Sequence, residues 1–295
     1  MKILVTGCTG KVGIHVMRGL ARQGVNVRCM TRNRSAARAL GLPCGVREYV
    51  ADFNSPTQMS EVFDRVDAVF LLVPVGPDET KQGLVALEAA RNAGVQKIVY
   101  MSVNMPTGSE VIPHFSSKIP IEKALMESGI PYTILRPNNF FQNDIVLNDV
   151  IMNNGLYPTP LGLIGLNRVD TRDIADGAIN ALLKTGHEGL IYGLHGPDRL
   201  TGRDIAKIYS LFVGRDVRYA GDDLDTWEST VKNILPIRLV SDLRIMYKFF
   251  QDHGMTASMI DLDTERELLG HMPRSFKNFV MEITYSWKTA MTHAA

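Results

Sequence analysis

One stretch near the start constrains this chain more than any other. The apolar triplet Ile3-Leu4-Val5 runs directly into Thr6-Gly7-Cys8-Thr9-Gly10-Lys11-Val12-Gly13, and a helix-period segment continues from Lys11 to Gln23. Three glycines in this spacing, between a strand and a helix, answer a specific physical need. A pyrophosphate resting on the positive end of a helix requires bare backbone N–H groups, and a side chain at the points of close approach blocks it. Glycine spacing alone is weak, but here a strand precedes it, a helix follows, and a second strand, Val25–Met30, arrives after the turn at Gly24. Together these describe the opening unit of a dinucleotide-binding fold. Gly7, Thr9, Gly10, Lys11, Val12 and Gly13 are the candidate phosphate contacts.

The rest of the first half keeps the same rhythm. Val46–Val50, Ala68–Val73, Lys97–Met101 and Tyr132–Leu135 read as further strands, and Lys81–Ala93 and Lys118–Ser128 as helices stopped by Gly94 and Gly129. Apolar runs alternating with helices imply an α/β fold with a doubly wound parallel Rossmann sheet. After Asn154 the Gly/Pro-rich segment Gly155-Leu156-Tyr157-Pro158-Thr159-Pro160-Leu161-Gly162 marks a departure from that sheet. The expected division is a dinucleotide domain over 1–153 and a smaller, mainly helical C-terminal lobe over 154–295, of which about 166–196 returns to the main domain. Asp170-Thr171-Arg172-Asp173 opens a helix to Lys184, and Thr201-Gly202-Arg203-Asp204 has the form of a capping box.

Charge argues for a small-molecule partner. The 32 basic side chains nearly cancel 31 acidic ones, so no overall field favours a nucleic acid or an anionic membrane. No apolar run approaches the length of a membrane span or a signal sequence, and a cytoplasmic location is expected. A homodimer is the base-rate expectation. Cys8, Cys29 and Cys44 lack metal-ligand spacing, so neither a metal site nor a disulfide is expected, and the three read as reduced, mostly buried thiols.

The second strand ends in Thr31-Arg32-Asn33-Arg34-Ser35, where an NAD-binding protein usually has an acid for the ribose hydroxyls. Guanidinium groups at Arg32 and Arg34, beside Asn33, suit a 2′-phosphate instead, which favours NADP(H); the alternative is a solvated turn. Asp52-Phe53 after the third strand is placed to bracket an adenine, or to form an ordinary turn. Val73-Pro74, at the end of the fourth strand, completes the candidate cofactor lining.

The glycine motif, the basic Thr31-Arg32-Asn33, Asp52-Phe53 and Gly129-Ile130-Pro131-Tyr132-Thr133-Ile134-Leu135-Arg136-Pro137 together resemble the NmrA-like family of atypical short-chain dehydrogenases/reductases over about the first 175 residues. The resemblance implies that Pro137, Asn138 and Phe140 pass the nicotinamide and the substrate. It also implies a lysine at a helix start, matched by Lys118. The tyrosine that usually stands four residues earlier is replaced by His114, a proton donor in principle, which Lys118 would bias toward its neutral form. Ser102, past the fifth strand, is a candidate for holding the substrate oxygen, with Ser116 and Ser117 as weaker ones. Phe140, Phe141 and Tyr157 line an apolar pocket or fill the core. The family contains NADPH-dependent quinone and dye reductases, and proteins that bind NADP(H) without turnover. The expected function is therefore an oxidoreductase passing hydride from NADPH to a quinone, enone or carbonyl; a non-catalytic redox sensor is the alternative. An epimerase is disfavoured, because that chemistry uses the missing tyrosine.

Overall fold

The computed structural model describes residues 1–294. The chain runs β1 (Lys2–Val5), α1 (Gly13–Arg22), β2 (Asn26–Thr31), α2 (Arg34–Ala39), β3 (Val46–Val50), α3 (Pro56–Phe63), β4 (Ala68–Leu71), α4 (Glu79–Asn92), β5 (Lys97–Met101), α5 (Pro113–Ser116), α6 (Ile119–Glu127) and β6 (Tyr132–Pro137). It continues through α7 (Asn148–Met152), β7 (Leu156–Tyr157), α8 (Thr171–Leu183), β8 (Leu190–Leu194), α9 (Gly202–Val213), β9 (Arg218–Tyr219), α10 (Leu224–Val231), α11 (Ile237–His253), α12 (Met259–Leu269) and α13 (Phe276–Ala294).

Seven strands form one sheet in the order β3-β2-β1-β4-β5-β6-β8, every pair parallel. A strand covered by helices on both faces has no polar side to show, which is why Ile3, Leu4 and Val5 are all apolar and all fully buried. On one face α1 and α8 pack Val16, Met17, Leu20, Ile174 and Ala178 against the sheet; on the other, α3, α4 and α6 bring Met59, Phe63, Ala86, Ile121 and Leu125. The α/β reading therefore holds, and it extends to β8, a strand the periodicity did not single out. Strand order reverses between β1 and β4, and ligands of open parallel sheets bind outside the carboxyl ends at such a point. β4 stops at Leu71 rather than Val73 because Thr6 intervenes. Its Oγ1 accepts the Leu72 N–H at 2.7 Å and donates to the Leu72 carbonyl at 2.8 Å, replacing the sheet ladder.

The remaining helices enclose a second core, in which Phe141, Tyr157, Tyr209, Phe250 and Phe276 meet beside the short parallel pair β7 and β9. A fully buried ion pair crosses it, Arg168 to Asp144 at 2.7 Å. Arg168 also donates to the Phe140 carbonyl at 2.7 Å, to Asn139 Oδ1 at 2.9 Å and to the Tyr157 hydroxyl at 3.3 Å. Phe141 and Tyr157 are thus core residues and not pocket lining; their neighbours are other aromatic rings. Among the described residues no helix is long and apolar enough to cross a membrane.

The cysteines correct the expectation of three reduced, mostly buried thiols. Cys8 and Cys29 form a disulfide with their Cα atoms 5.5 Å apart, and Cys44 is exposed. The parallel register sets Val5 opposite Cys29, and the loop leaving β1 folds Cys8 back over the neighbouring strand. Spacing counted along the chain does not see a cross-strand register.

Candidate functional site

The glycine loop sits at the carboxyl end of β1, at the sheet's reversal point. Gly7 adopts a φ of 62°, and a Cβ on it would lie 2.9 Å from the Leu72 side chain. Gly13 is tighter still, since a Cβ there would lie 2.2 Å from the Gly7 carbonyl oxygen. Both positions therefore exclude side chains, Gly7 through its left-handed φ and the Leu72 side chain, Gly13 through the loop's own backbone. No side chain caps α1, no acid occupies its first turn, and the N–H groups of Lys11, Val12 and Gly13 have no partner among the described residues. That leaves a helix terminus with unmet donors and an uncancelled positive end, the condition a pyrophosphate relieves. Lys11 extends across to Asn143 Oδ1 at 3.2 Å, and burial lowers its ammonium from the ordinary lysine value.

At the end of β2, Arg32 and Arg34 are exposed and enter no hydrogen bond or ion pair among the described residues. Asn33 is partly committed: its side-chain oxygen accepts the Ala36 N–H at 3.1 Å and so caps α2. Asp52 shapes its own turn by accepting the Asn54 N–H at 2.8 Å. Phe53 departs from the expected adenine bracket, because its ring is 4% exposed and packs in the core beside α3, leaving little face for a base. Val73 is buried and Pro74 half-buried beside the loop.

The carboxyl ends of β5 and β6 carry the other candidates. Ser102 follows β5 directly; its backbone is tied to the Leu135 carbonyl at 2.8 Å, while its hydroxyl is buried without any partner. Ser116 and Ser117 are not free in the same way, since Ser116 Oγ bonds the Pro113 carbonyl and Ser117 Oγ bonds Glu79. Lys118 stands at the N-cap of α6, buried, with its ammonium on the Glu79 carboxylate. An ammonium has three N–H donors, so two remain after that pairing. Glu79 itself is the first residue of α4 and is 1% exposed.

His114, one turn before Lys118, does not meet it in an ion pair. Its Nδ1 lies 2.6 Å from Asp242 Oδ1 on α11, and its ring stands edge-on to Phe115. The Lys118 ammonium is paired with Glu79, and the charged group in contact with the imidazole is the Asp242 carboxylate. Pro137 ends β6. Asn138, next to it, is buried and donates to the Met255 carbonyl at 2.8 Å, tying the lobe to the sheet edge. Phe140 is half-buried and its carbonyl is held by Arg168.

Sequence reasoning missed Glu79, Asp242, Arg168 and Asp144, none of which belongs to a local motif. It also missed a buried pair past β8. There the His195 imidazole is pushed down to about 4 by burial, and Glu265, which accepts the backbone N–H of His195 at 2.8 Å, is pushed up to about 9 by burial. Asp173, Asp176 and His271 converge as metal ligands do, but Arg274 already bonds both carboxylates. That guanidinium occupies the position a cation would take.

The model of the NmrA-like family matches residues 1–279. The chain is 30% identical to the NAD(P)H azoreductase of Xenophilus azovorans, over 94% of this chain and 96% of that protein. Its structure resembles that of an NADPH-dependent quinone oxidoreductase from Escherichia coli complexed with NADPH, with a TM-score of 0.85 and 24% identity over 95% of this chain and 99% of that one. It also resembles NmrA, a negative transcriptional regulator, in complex with NADP, with a TM-score of 0.81 and 20% identity over 98% and 97% of the two chains. At these identities the two structural likenesses speak to the fold.

Proposed function

The chain belongs to the NmrA-like family, and on that premise we propose that it is an NADPH-dependent oxidoreductase that passes hydride to a quinone, enone, carbonyl or similar conjugated small molecule. The cofactor fits the residues present. Side chains are excluded at Gly7 and Gly13, the α1 terminus has unmet donors, and two unpaired guanidinium groups wait at the adenosine end. We assign Gly7, Thr9, Gly10, Lys11, Val12 and Gly13 to the pyrophosphate and Arg32, Asn33 and Arg34 to the 2′-phosphate. Asp52, Val73 and Pro74 line the adenosine side, and Pro137, Asn138 and Phe140 the nicotinamide side. Residues 1–153, completed by about 166–196, would hold the cofactor, and the rest of 154–295 would shape the acceptor space.

When bound, NADPH supplies the hydride. The protein's part is to place the acceptor, exclude water and handle charge. Ser102 carries this reading. A buried hydroxyl with no partner costs about 1–3 kcal/mol, and an acceptor oxygen at the β5 edge removes that cost. Lys118, its position fixed by Glu79, offers its two remaining N–H donors to a ribose or substrate hydroxyl. His114 is assigned as the proton donor to acceptors whose reduced form is a strong base. An electron-poor quinone accepts hydride and takes its proton later from solvent.

Stopped-flow oxidation of bound NADPH against a panel of quinones and conjugated carbonyls tests the proposal. Acceleration over free NADPH with at least one acceptor class is expected, and none with any acceptor would refute it. His114 in place of the usual tyrosine favours a second reading, a sensor that binds NADP(H) and answers to redox state. Unequal affinity for NADPH and NADP⁺ without turnover distinguishes that reading.

A further inference from the structure

We infer that Asp242, carried by α11, is the positioning residue that fixes the tautomer and orientation of His114 for proton delivery on the acceptor side. This rests on the oxidoreductase reading above. The two side chains come from positions 128 residues apart and meet at 2.6 Å, with 18% and 15% of their surfaces exposed. A carboxylate only accepts hydrogen bonds, so the short contact requires the proton on Nδ1. The other ring nitrogen, Nε2, has no partner among the described residues.

An open cleft of about 460 Å³ adjoins the elements that carry this pair. Gly108 and Val111, in the segment leading to His114, line it together with Ile245 and Phe249 of α11, with Arg244, Lys248 and Asp252 of the same helix beside them. Asp242, Ile245 and Phe249 are spaced by three and four residues, so the helix face that lines the cavity also carries the carboxylate. A volume of that size accommodates a small conjugated ring system. Phe115 holds the imidazole edge-on with ring centroids 4.8 Å apart, which restricts its rotation.

The chemistry balances. As an acceptor carbonyl takes hydride on carbon, its oxygen gains the C–O π electron pair. The protonated ring then gives up Nε2–H to that oxygen, the N–H electron pair stays on nitrogen, and the neutral imidazole keeps Nδ1–H on Asp242. Solvent returns the proton. Asp242 touches neither substrate nor cofactor, and it acts only through the ring it holds.

Nitrogen-15 NMR of the His114 ring in the cofactor-free chain, at a pH where the ring is neutral, reads the tautomer directly. The expected result is Nδ1–H in the wild type and in Asp242→Glu, and a shift toward Nε2–H in Asp242→Asn, whose amide can donate to Nδ1. Single-turnover oxidation of bound NADPH by a quinone and by a carbonyl acceptor is the second readout. Asp242→Asn is expected to lower the carbonyl-to-quinone rate ratio by at least about tenfold, a part of the roughly 10²–10⁴-fold that general acid catalysis supplies, and Asp242→Glu to restore most of it. A wild-type ring in the Nε2–H form, or an unchanged ratio in Asp242→Asn, overturns the inference. If Asp242→Asn does not fold, the wild-type and Asp242→Glu tautomers still decide it. Absence of turnover with every acceptor would sink the oxidoreductase reading, and the NMR result would separately decide whether Asp242 sets the tautomer.

Discussion

Replacing Gly13 with alanine tests the phosphate loop at its tightest point. The new Cβ would lie 2.2 Å from the Gly7 carbonyl oxygen, 2.7 Å from the Gly7 carbonyl carbon and 2.9 Å from the Cys8 Cα. All three are backbone atoms, so no side-chain rotation relieves the contact. The loop has to retreat by roughly 1 Å before the contacts become ordinary ones. A hydrogen bond of ordinary length does not survive that displacement. Each charge-assisted bond from a loop N–H to a phosphate is worth about 1.5–3 kcal/mol, so losing one raises the dissociation constant for NADPH by about 10- to 150-fold. Fluorescence titration of NADPH reads the affinity, and thermal melting checks that the variant folds. Gly94→Ala is the control. Gly94 has a φ of 68° with nothing near its missing Cβ, so that change costs about 1–2 kcal/mol of stability and no affinity. A Gly13→Ala protein that binds NADPH within threefold of the wild type would refute the reasoning.

Three further expectations follow from the same geometry. The double variant Arg32→Ala/Arg34→Ala should weaken NADPH binding by about tenfold or more while leaving NADH unchanged, because only the 2′-phosphate meets these groups; equal losses for both dinucleotides would contradict the assignment. Glu79→Gln leaves the buried Lys118 ammonium without a counter-charge and should destabilise the fold by about 3–5 kcal/mol in urea unfolding, and a loss below about 1 kcal/mol would show that the pair is not buried as described. Glu265 has its carboxyl pushed up to about 9 by burial, so from the usual 4.5 upward the unfolded chain ionises while the fold keeps its proton. Its contribution is complete below pH 4.5 and declines as pH rises toward 9. Glu265→Gln should therefore lose less stability than the wild type between pH 5 and pH 8, and parallel urea midpoints for the two proteins would exclude this.

Local signals and long-range ones fared differently. The β1–loop–α1 unit was legible because its strand, glycines and helix are contiguous, and Val46–Val50 and Lys97–Met101 coincide with β3 and β5. The short helices α2 and α3 were not singled out, although Asn33 and Ser55 cap them in the usual way. Six and eight residues offer too few turns for a periodic pattern to stand out. Nothing local joins Lys118 to Glu79, 39 positions away, or His114 to Asp242, since both pairings arise only when separate elements converge at the sheet edge. Aromatic residues failed for another reason. Phe53, Phe141 and Tyr157 have the chemistry of a binding pocket and of a core alike, and only burial tells the two apart.

The placement of β8 has a consequence for how the protein is made. β6 must wait for its outer neighbour while the ribosome adds the long excursion between Pro137 and Leu190, roughly 3–10 s at ordinary elongation rates. During that interval the nascent sheet shows an open row of amides and carbonyls along an apolar strand, the kind of edge that pairs with other chains. Premature termination anywhere in the excursion would leave that edge permanently bare, so shortened products of this gene should sediment with the insoluble fraction.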